Sequence, residues 1–380
     1  MITQNYGEEV LGHRIKEART LKGYSLEELA KKIGLTRQSM SKYENGDMKI
    51  SMEKLVDISE VLDFPVDFFK KKKYNFGIGN NPIFFRSLRK TTSKIKESLG
   101  QNVEFLEEIF YNISEYIEFP KLNIDFSINK NYKIGVSDLY IEEISMKIRE
   151  EWGIGENPIN NLVDLLQRNG IIISRIELDN YTVDAFSSIT NSGVPFIILG
   201  SDKQSAVRSR MDCAHELGHI VLHSHLSKED IIKNHNIIED EAKRFASAFL
   251  LPENEFSKDI YTINLDSFIY IKKKWKVSIA GIIVRAHRLN LITDDQYTYL
   301  FKRISAKKWR VKEPLDDSIQ IEEPELLKEA CNLLFDNDVI NKKDFVKFIG
   351  FPVSLIEGLC NLEEGTLGKE EKKTFLRLIK

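Results

Sequence analysis

Two histidines and one acid set the chemistry this chain can attempt. His215 and His219 stand four positions apart, with Glu216 beside the first, inside the run Met211-Asp-Cys-Ala-His-Glu-Leu-Gly-His-Ile-Val-Leu. Four positions are about one turn of α-helix, so both imidazoles leave the same face and can share one zinc ion. Glu216, one position round, then stands next to the ion's water. Zinc brings the pKa of that water towards neutrality, and a neighbouring carboxylate can take its proton as the water attacks a peptide carbonyl. The bare pattern also occurs in helices that bind nothing, so the rest of the chain must supply a third protein ligand, leaving the fourth position for water.

Two sources of that ligand come into question. His225 lies where an extended motif of some zinc peptidases places a third histidine, but that motif needs glycine at 222 and a downstream methionine turn. Leu222 stands there and no methionine follows Met211, which excludes this arrangement. The other source is a glutamate from a second helix, and Glu239-Asp-Glu-Ala-Lys-Arg-Phe-Ala-Ser-Ala-Phe-Leu-Leu-Pro follows one loop later. Glu241 is the expected ligand because it shares a helical face with Phe245 and Phe249, whereas Glu239 and Asp240 are expected to face solvent. The plain alternative for Glu241 is an ordinary surface acid in a first helical turn. Arg210, close to the same motif, is a candidate for stabilising an oxyanion, although pairing with an acid is the more ordinary use of such an arginine.

A second group of residues suits nucleic acid. The segment from Ser25 to Gly46 joins two short helices through Gly34, which allows a tight turn. Ser25 with Glu28 forms a capping-box pattern and Thr36 can cap the second helix, leaving Leu26, Leu29, Ala30, Ile33, Leu35 and Met40 for a core. The outer face of the second helix then carries Arg37, Gln38, Ser39 and Lys42, with Thr36 at its start. These side chains can donate to base edges and phosphates in the major groove of a double-stranded DNA operator. Tyr43 and Glu44 are read as packing and helix-stabilising groups. Charge agrees with this polarity: the first hundred residues carry +6, the remainder −9, for a net −3.

The elements that must position these groups follow from periodicity. From Gly12 to Phe69 apolar residues recur at helical spacing in bursts broken by Gly23, Gly34, Gly46 and Pro65. Lys70 to Lys73, followed by Gly77, Gly79 and Asn-Asn-Pro at 80–82, reads as a linker, and Leu88 to Ile117 as a long helix. Helices are predicted over Leu139–Trp152 and Leu162–Gln167, then strands over Ile171–Ile176, Asp184–Ile189 and Phe196–Leu199. Helices resume near Ser205 through Leu251, then at Ile269–Trp275 and Ile279–Leu289. The predicted class is mainly α with a small sheet (α+β). The predicted organisation is a head at 10–70, a helical connector at 71–135, an α+β domain at 136–315 and a helical tail at 316–380. Cys213, Cys331 and Cys360 are widely spaced and read as reduced, buried thiols. No stretch approaches the roughly 18 apolar residues of a membrane span, so no membrane partner and a cytoplasmic location are expected.

Longer patterns carry a family resemblance. Arg208-x-Arg-x-x-x-Ala-His-Glu-Leu-Gly-His, then Glu241-Ala-x-x-Phe-Ala-x-x-Phe-Leu-x-Pro, resembles the ImmA/IrrE metallo-endopeptidases. Phe85-Arg-Ser-Leu, Trp152-Gly, Val183-Asp-Ala-Phe-Ser, Pro195-Phe-Ile-Ile-Leu and Trp275-x-Val-Ser resemble longer members with an Xre/Cro-type head, over about residues 10–315. The resemblance implies zinc held by His215, His219 and Glu241, Glu216 as the base, and repressors of mobile elements or stress genes as substrates; a partner repressor or antitoxin is the cleaved protein expected here. Three functions are open on these grounds. The first is a DNA-binding zinc endopeptidase. The second, of another class, is a regulator or antitoxin whose peptidase fold senses or binds a partner with little turnover. The third is self-cleavage between Lys70 and Asn81, releasing the head. Groove-reading heads commonly work in pairs, which implies a homodimer.

Overall fold

The computed structural model describes residues 9–72, 77–79, 81–85, 92–178, 183–202 and 205–368. The chain opens with α1 (Gly12–Leu21), α2 (Leu26–Lys32), α3 (Arg37–Asn45), α4 (Met52–Leu62), β1 (Ile83–Phe85) and α5 (Ser93–Ser114). It continues through α6 (Asp138–Glu151), α7 (Leu162–Arg168), β2 (Ile172–Ile176), β3 (Ala185–Ile189), β4 (Pro195–Gly200) and α8 (Ala206–His223). Then come α9 (Lys228–Lys233), α10 (His235–Leu250), α11 (Glu253–Asp259), α12 (Leu265–Trp275), α13 (Ile279–Arg288) and α14 (Asp294–Ala306). The last are α15 (Leu326–Asp336), α16 (Lys342–Ile349) and α17 (Val353–Leu359). The class is mainly α with one small sheet, as the periodicity predicts. Among the described residues no helix is long and apolar enough to cross a membrane.

Packing divides the chain into two compact units, one from Met1–Asn75, Thr92–Glu118 and Leu327–Lys380, the other from Phe76–Thr91 and Phe119–Leu326. In the first, local signals place α2 and α3. Ser25 Oγ accepts from Glu28 N (3.1 Å) while Ser25 N donates to Glu28 (2.6 Å), completing the capping box. Thr36 Oγ1 accepts from Ser39 N at 3.1 Å, and Gly34 takes φ +67°, where any other residue would be strained. Ile15, Ala18, Leu29, Met40, Leu55 and Ile58 form the interior of this bundle.

The partition differs from the expected connector and tail. Helix α5 packs on the head: Arg14, fully buried, donates to both oxygens of Glu108 (2.8 and 2.9 Å) and to the Lys71 carbonyl (2.9 Å). A buried guanidinium needs such a bidentate partner to offset its lost hydration. The C-terminal helices join the same unit through Phe351, whose ring lies 4.8 Å from Phe105 and 5.7 Å from Phe68. Amphipathic spacing shows that such helices bury a face, but not which distant segment covers it. The predicted helix start at Leu88 lies outside the described residues; α5 begins after Thr92, whose hydroxyl accepts from Ile95 N.

In the second unit the sheet runs in the order β1-β3-β4-β2, with β2 parallel to β4 and the β1/β3 and β3/β4 pairs antiparallel. A tight turn joins β3 to β4: Thr190 N donates to the Val194 carbonyl (3.1 Å) and Gly193 takes φ +82°. Strand β1 was not expected, because three residues after a proline are too few for period-two alternation to register. Ile173, Ala185, Ile197 and Leu199 share a core with Cys213, Ala214 and Leu217 of α8 and Phe245 and Phe249 of α10. Every residue of α8 except Arg208 and Met211 is buried. Gly218 lets α10 come this close, since a Cβ there would sit 3.1 Å from both Ala242 O and Phe245 Cδ1. All three cysteines are free and buried.

Candidate metal centre and nucleic-acid interface

A helix buried on nearly every side must satisfy its polar side chains inside the protein. His215 Nε2 and His219 Nε2 face each other at 3.1 Å. The third group is Glu239 of α10, with Oε2 3.4 Å from His215 Nε2 and Oε1 3.2 Å from His219 Nε2. Among the described residues these three form the one candidate group, with ligand atoms all within 4.8 Å of one another. Four-coordinate zinc with ligands at about 2.0–2.1 Å needs neighbouring ligand atoms roughly 3.4 Å apart; the two ring nitrogens are near that spacing and each faces its own oxygen of Glu239, so the donor types fit, with the carboxylate turning one oxygen to the ion or offering both. Glu239 Oε2 is buried and accepts no hydrogen bond among the described residues, a state that a cation would relieve. Burial by itself would raise the Glu239 pKa, but the two imidazoles facing it outweigh that and hold it well below the usual carboxylate range. An ionised oxygen and two ring nitrogens are a set that zinc accepts.

Here the structure departs from the expectation for Glu241. Its carboxylate accepts from Tyr132 Oη (2.6 Å), Gly135 N (2.7 Å) and Val136 N (3.0 Å), and faces His223 Nε2 at 3.1 Å. Burial would raise its pKa, yet His223, Tyr132 and the Gly135 amide together bring it below the ordinary value. Two positions apart, Glu239 and Glu241 diverge by about 160° around the helix axis. Both are buried, because α10 packs against α8 and also against α6. An apolar-face argument fails on a helix with two covered faces.

Glu241 still reaches the centre indirectly. His223 Nδ1 lies 3.0 Å from His219 Nδ1, and the carboxylate dictates the proton positions inferred for this chain of groups. Accepting at Oε2, it keeps the proton on His223 Nε2. His223 Nδ1 is then an acceptor for the His219 Nδ1 proton, which leaves the lone pair of His219 Nε2 directed towards His215 and Glu239. Burial pushes the His223 pKa down to about 4, against the lift from Glu241, so the ring is neutral near pH 7.

Glu216, fully buried, accepts from Ser187 Oγ of β3 at 2.6 Å, which anchors one oxygen. Phe84 of β1 lies flat on His219, with ring centroids 4.7 Å apart and planes 8° apart. Arg210 is bound to Glu322 and to the Ile159 carbonyl (2.9 Å), an internal ion pair. His225 lies outside the group and meets the Tyr132 ring edge-on at 5.2 Å. Sequence reasoning turned Glu239 towards solvent and missed His223, Ser187, Tyr132 and Phe84. One signal was available, since His223 stands four positions after His219 and so continues the same helical stripe.

On the head, Thr36, Arg37, Gln38 and Lys42 are exposed and Ser39 is half-buried. The hydroxyls of Thr36 and Ser39 lie 3.0 Å apart and serve the cap first. Arg37 and Lys42 enter no ion pair among the described residues. Arg19 orients α3 from behind, donating to both oxygens of buried Glu44 (2.6 and 2.9 Å) and to the Tyr24 carbonyl (2.7 Å).

Comparison with known proteins separates the same two regions. Residues 15–69 match a helix-turn-helix family model, and residues 166–287 match a peptidase-family model described as an IrrE N-terminal-like domain. An uncharacterised HTH-type transcriptional regulator of Sinorhizobium medicae is 38% identical over 72 residues, 19% of this chain and 52% of the relative. A putative HTH-type transcriptional regulatory protein of Pyrococcus furiosus is 29% identical over 117 residues, 30% and 36% of the two chains. An SPbeta prophage-derived HTH-type transcriptional regulator of Bacillus subtilis is 39% identical over 62 residues, 16% and 57%. The chain spans about half the length, or less, of the curated relatives it matches.

Proposed function

For a chain that carries a helix-turn-helix domain and an IrrE-like peptidase-family domain, we propose a DNA-binding regulator whose second unit is a zinc endopeptidase acting on a partner protein. A repressor or antitoxin is the proposed substrate, and the head acts at a double-stranded operator as a homodimer. The observation that carries this reading is the triangle of His215, His219 and Glu239 with Glu216 on the same buried helix. A zinc ion bound there supplies Lewis acidity and lowers the pKa of water. The residues do the rest. His215, His219 and Glu239 hold the ion, with His219 fixed by His223 and Glu241. Glu216 takes a proton from water and returns it to the leaving amine. Ser187 keeps its carboxylate from rotating. Zinc measured per purified chain tests the site, and Glu216→Gln tests the chemistry: the variant should retain zinc and leave a co-expressed partner uncut. A Glu216→Gln chain that still cuts the partner would remove the endopeptidase reading.

One observation favours a second reading, in which the fold binds a partner with little turnover: Phe84 covers His219. If Glu216→Gln leaves operator repression and partner neutralisation intact, that regulator reading stands, because no general base is then required.

A further inference from the structure

A peptidase that cuts inside a chain must lay an extended segment beside its metal ligands and base, and the outer edge of β3, the strand whose Ser187 holds Glu216, is where such a segment can pair. In this protein that edge is taken by its own residues 77–79 and 81–85. Strand β1 runs antiparallel to β3 with Phe84 opposite Ser187, so both side chains point to the same side of the sheet, towards α8. The Phe84 ring, 2% exposed, stacks on His219 and packs with Ile231 and Ile238. Hydrogen bonds tie the rest of the segment along the strand: Asn81 Nδ2 to the Ile189 carbonyl, Ser188 Oγ to the Pro82 carbonyl and Asn191 N to the Gly77 carbonyl, each 2.9 Å.

Resting on the peptidase reading above, we infer that residues 81–85 occupy the substrate's own strand site, and that the pocket holding Phe84 selects an aromatic or large apolar residue of the substrate. Substrate and β1 then compete for one edge. Apparent affinity for substrate is reduced by the fraction of molecules in which β1 has left it, so activity is conditional on its release. A merely structural fourth strand makes the opposite prediction, since weakening it would harm binding rather than improve it.

The test uses the full-length, zinc-loaded chain carrying Glu216→Gln, so that bound peptide is not cut. The probe is a fluorescent peptide with the sequence of residues 77–85. Adding Phe84→Ala should tighten peptide binding by about tenfold or more, and a peptide with alanine in place of its own Phe84 should not show the gain. Joining the strands by Ile83→Cys with Ser188→Cys should abolish peptide binding when oxidised and restore it on reduction. Unchanged or weaker peptide affinity in Phe84→Ala, or undiminished binding to the cross-linked chain, overturns the inference. Should Phe84→Ala fail to fold, the cross-linked pair decides alone. Metal content is measured before peptide is added, so a parent chain without zinc counts against the peptidase reading and is told apart from a failure of the strand competition.

Discussion

Helix α3 turns its reading groups outward, while α8 turns its reactive groups inward, and the two make different demands on the rest of the fold. Around α3 a cap from Thr36, a turn at Gly34, the buried Met40 and Tyr43 and the ion pair of Glu44 with Arg19 hold the helix. Arg37, Gln38 and Lys42 are exposed there and enter no ion pair among the described residues. Around α8 no side chain acts alone: His219 touches His215, Glu239, His223 and Phe84, and Glu216 depends on a strand serine. Outward sites should therefore lose function one contact at a time. Inward sites should lose function through coupled partners, in steps that shrink from the proposed ligands to the groups that hold them.

The steepest loss is expected for Glu239→Gln, which should lower zinc affinity by well over the roughly hundredfold typical of an outer hydrogen-bond partner. Competition with a chromophoric chelator measures it, and unchanged affinity would mean that the third ligand lies elsewhere. Glu241→Gln should be milder, about 10- to 100-fold in the same assay, because it acts through His223 and His219. If Glu241→Gln proved the more damaging of the two, the face-sharing argument that favoured it would be reinstated. Arg37→Ala should weaken operator binding by about 1–3 kcal/mol with zinc content untouched, read by titration at fixed salt. Any loss of zinc in that variant would break the contrast between the two regions. The smallest effect is expected for Thr36→Ala, which removes the α3 cap and should lower stability by about 1 kcal/mol in thermal unfolding.

Legibility followed the same divide. The head could be read almost residue by residue, since caps and turns act within four positions and their partners sit side by side in the chain. Three of the four strands of the second unit, β2 to β4, and most of its helices were readable from local composition and spacing, whereas β1 was not. At the metal centre, His215, Glu216 and His219 were visible because one helical turn relates them. Glu239 was passed over in favour of Glu241 because the burial of α10 on two faces is invisible in its own periodicity. Ser187 and Phe84 were hidden because strand register, rather than sequence spacing, brings them to α8. Helix α5 and the C-terminal helices announced a buried face but not its partner.

What the amino-acid order determined alone is everything governed by short-range geometry: the helix-turn-helix with its outward donors, the imidazole pair one turn apart, and the alternation that makes strands. Only the folded chain decided which carboxylate meets the imidazoles, which serine steadies Glu216 and which short strand lies over His219. Those choices depend on how close two helices can approach at Gly218 and on which segment pairs with the edge of β3. Close packing settles such matters among residues far apart in sequence, and no local pattern encodes them.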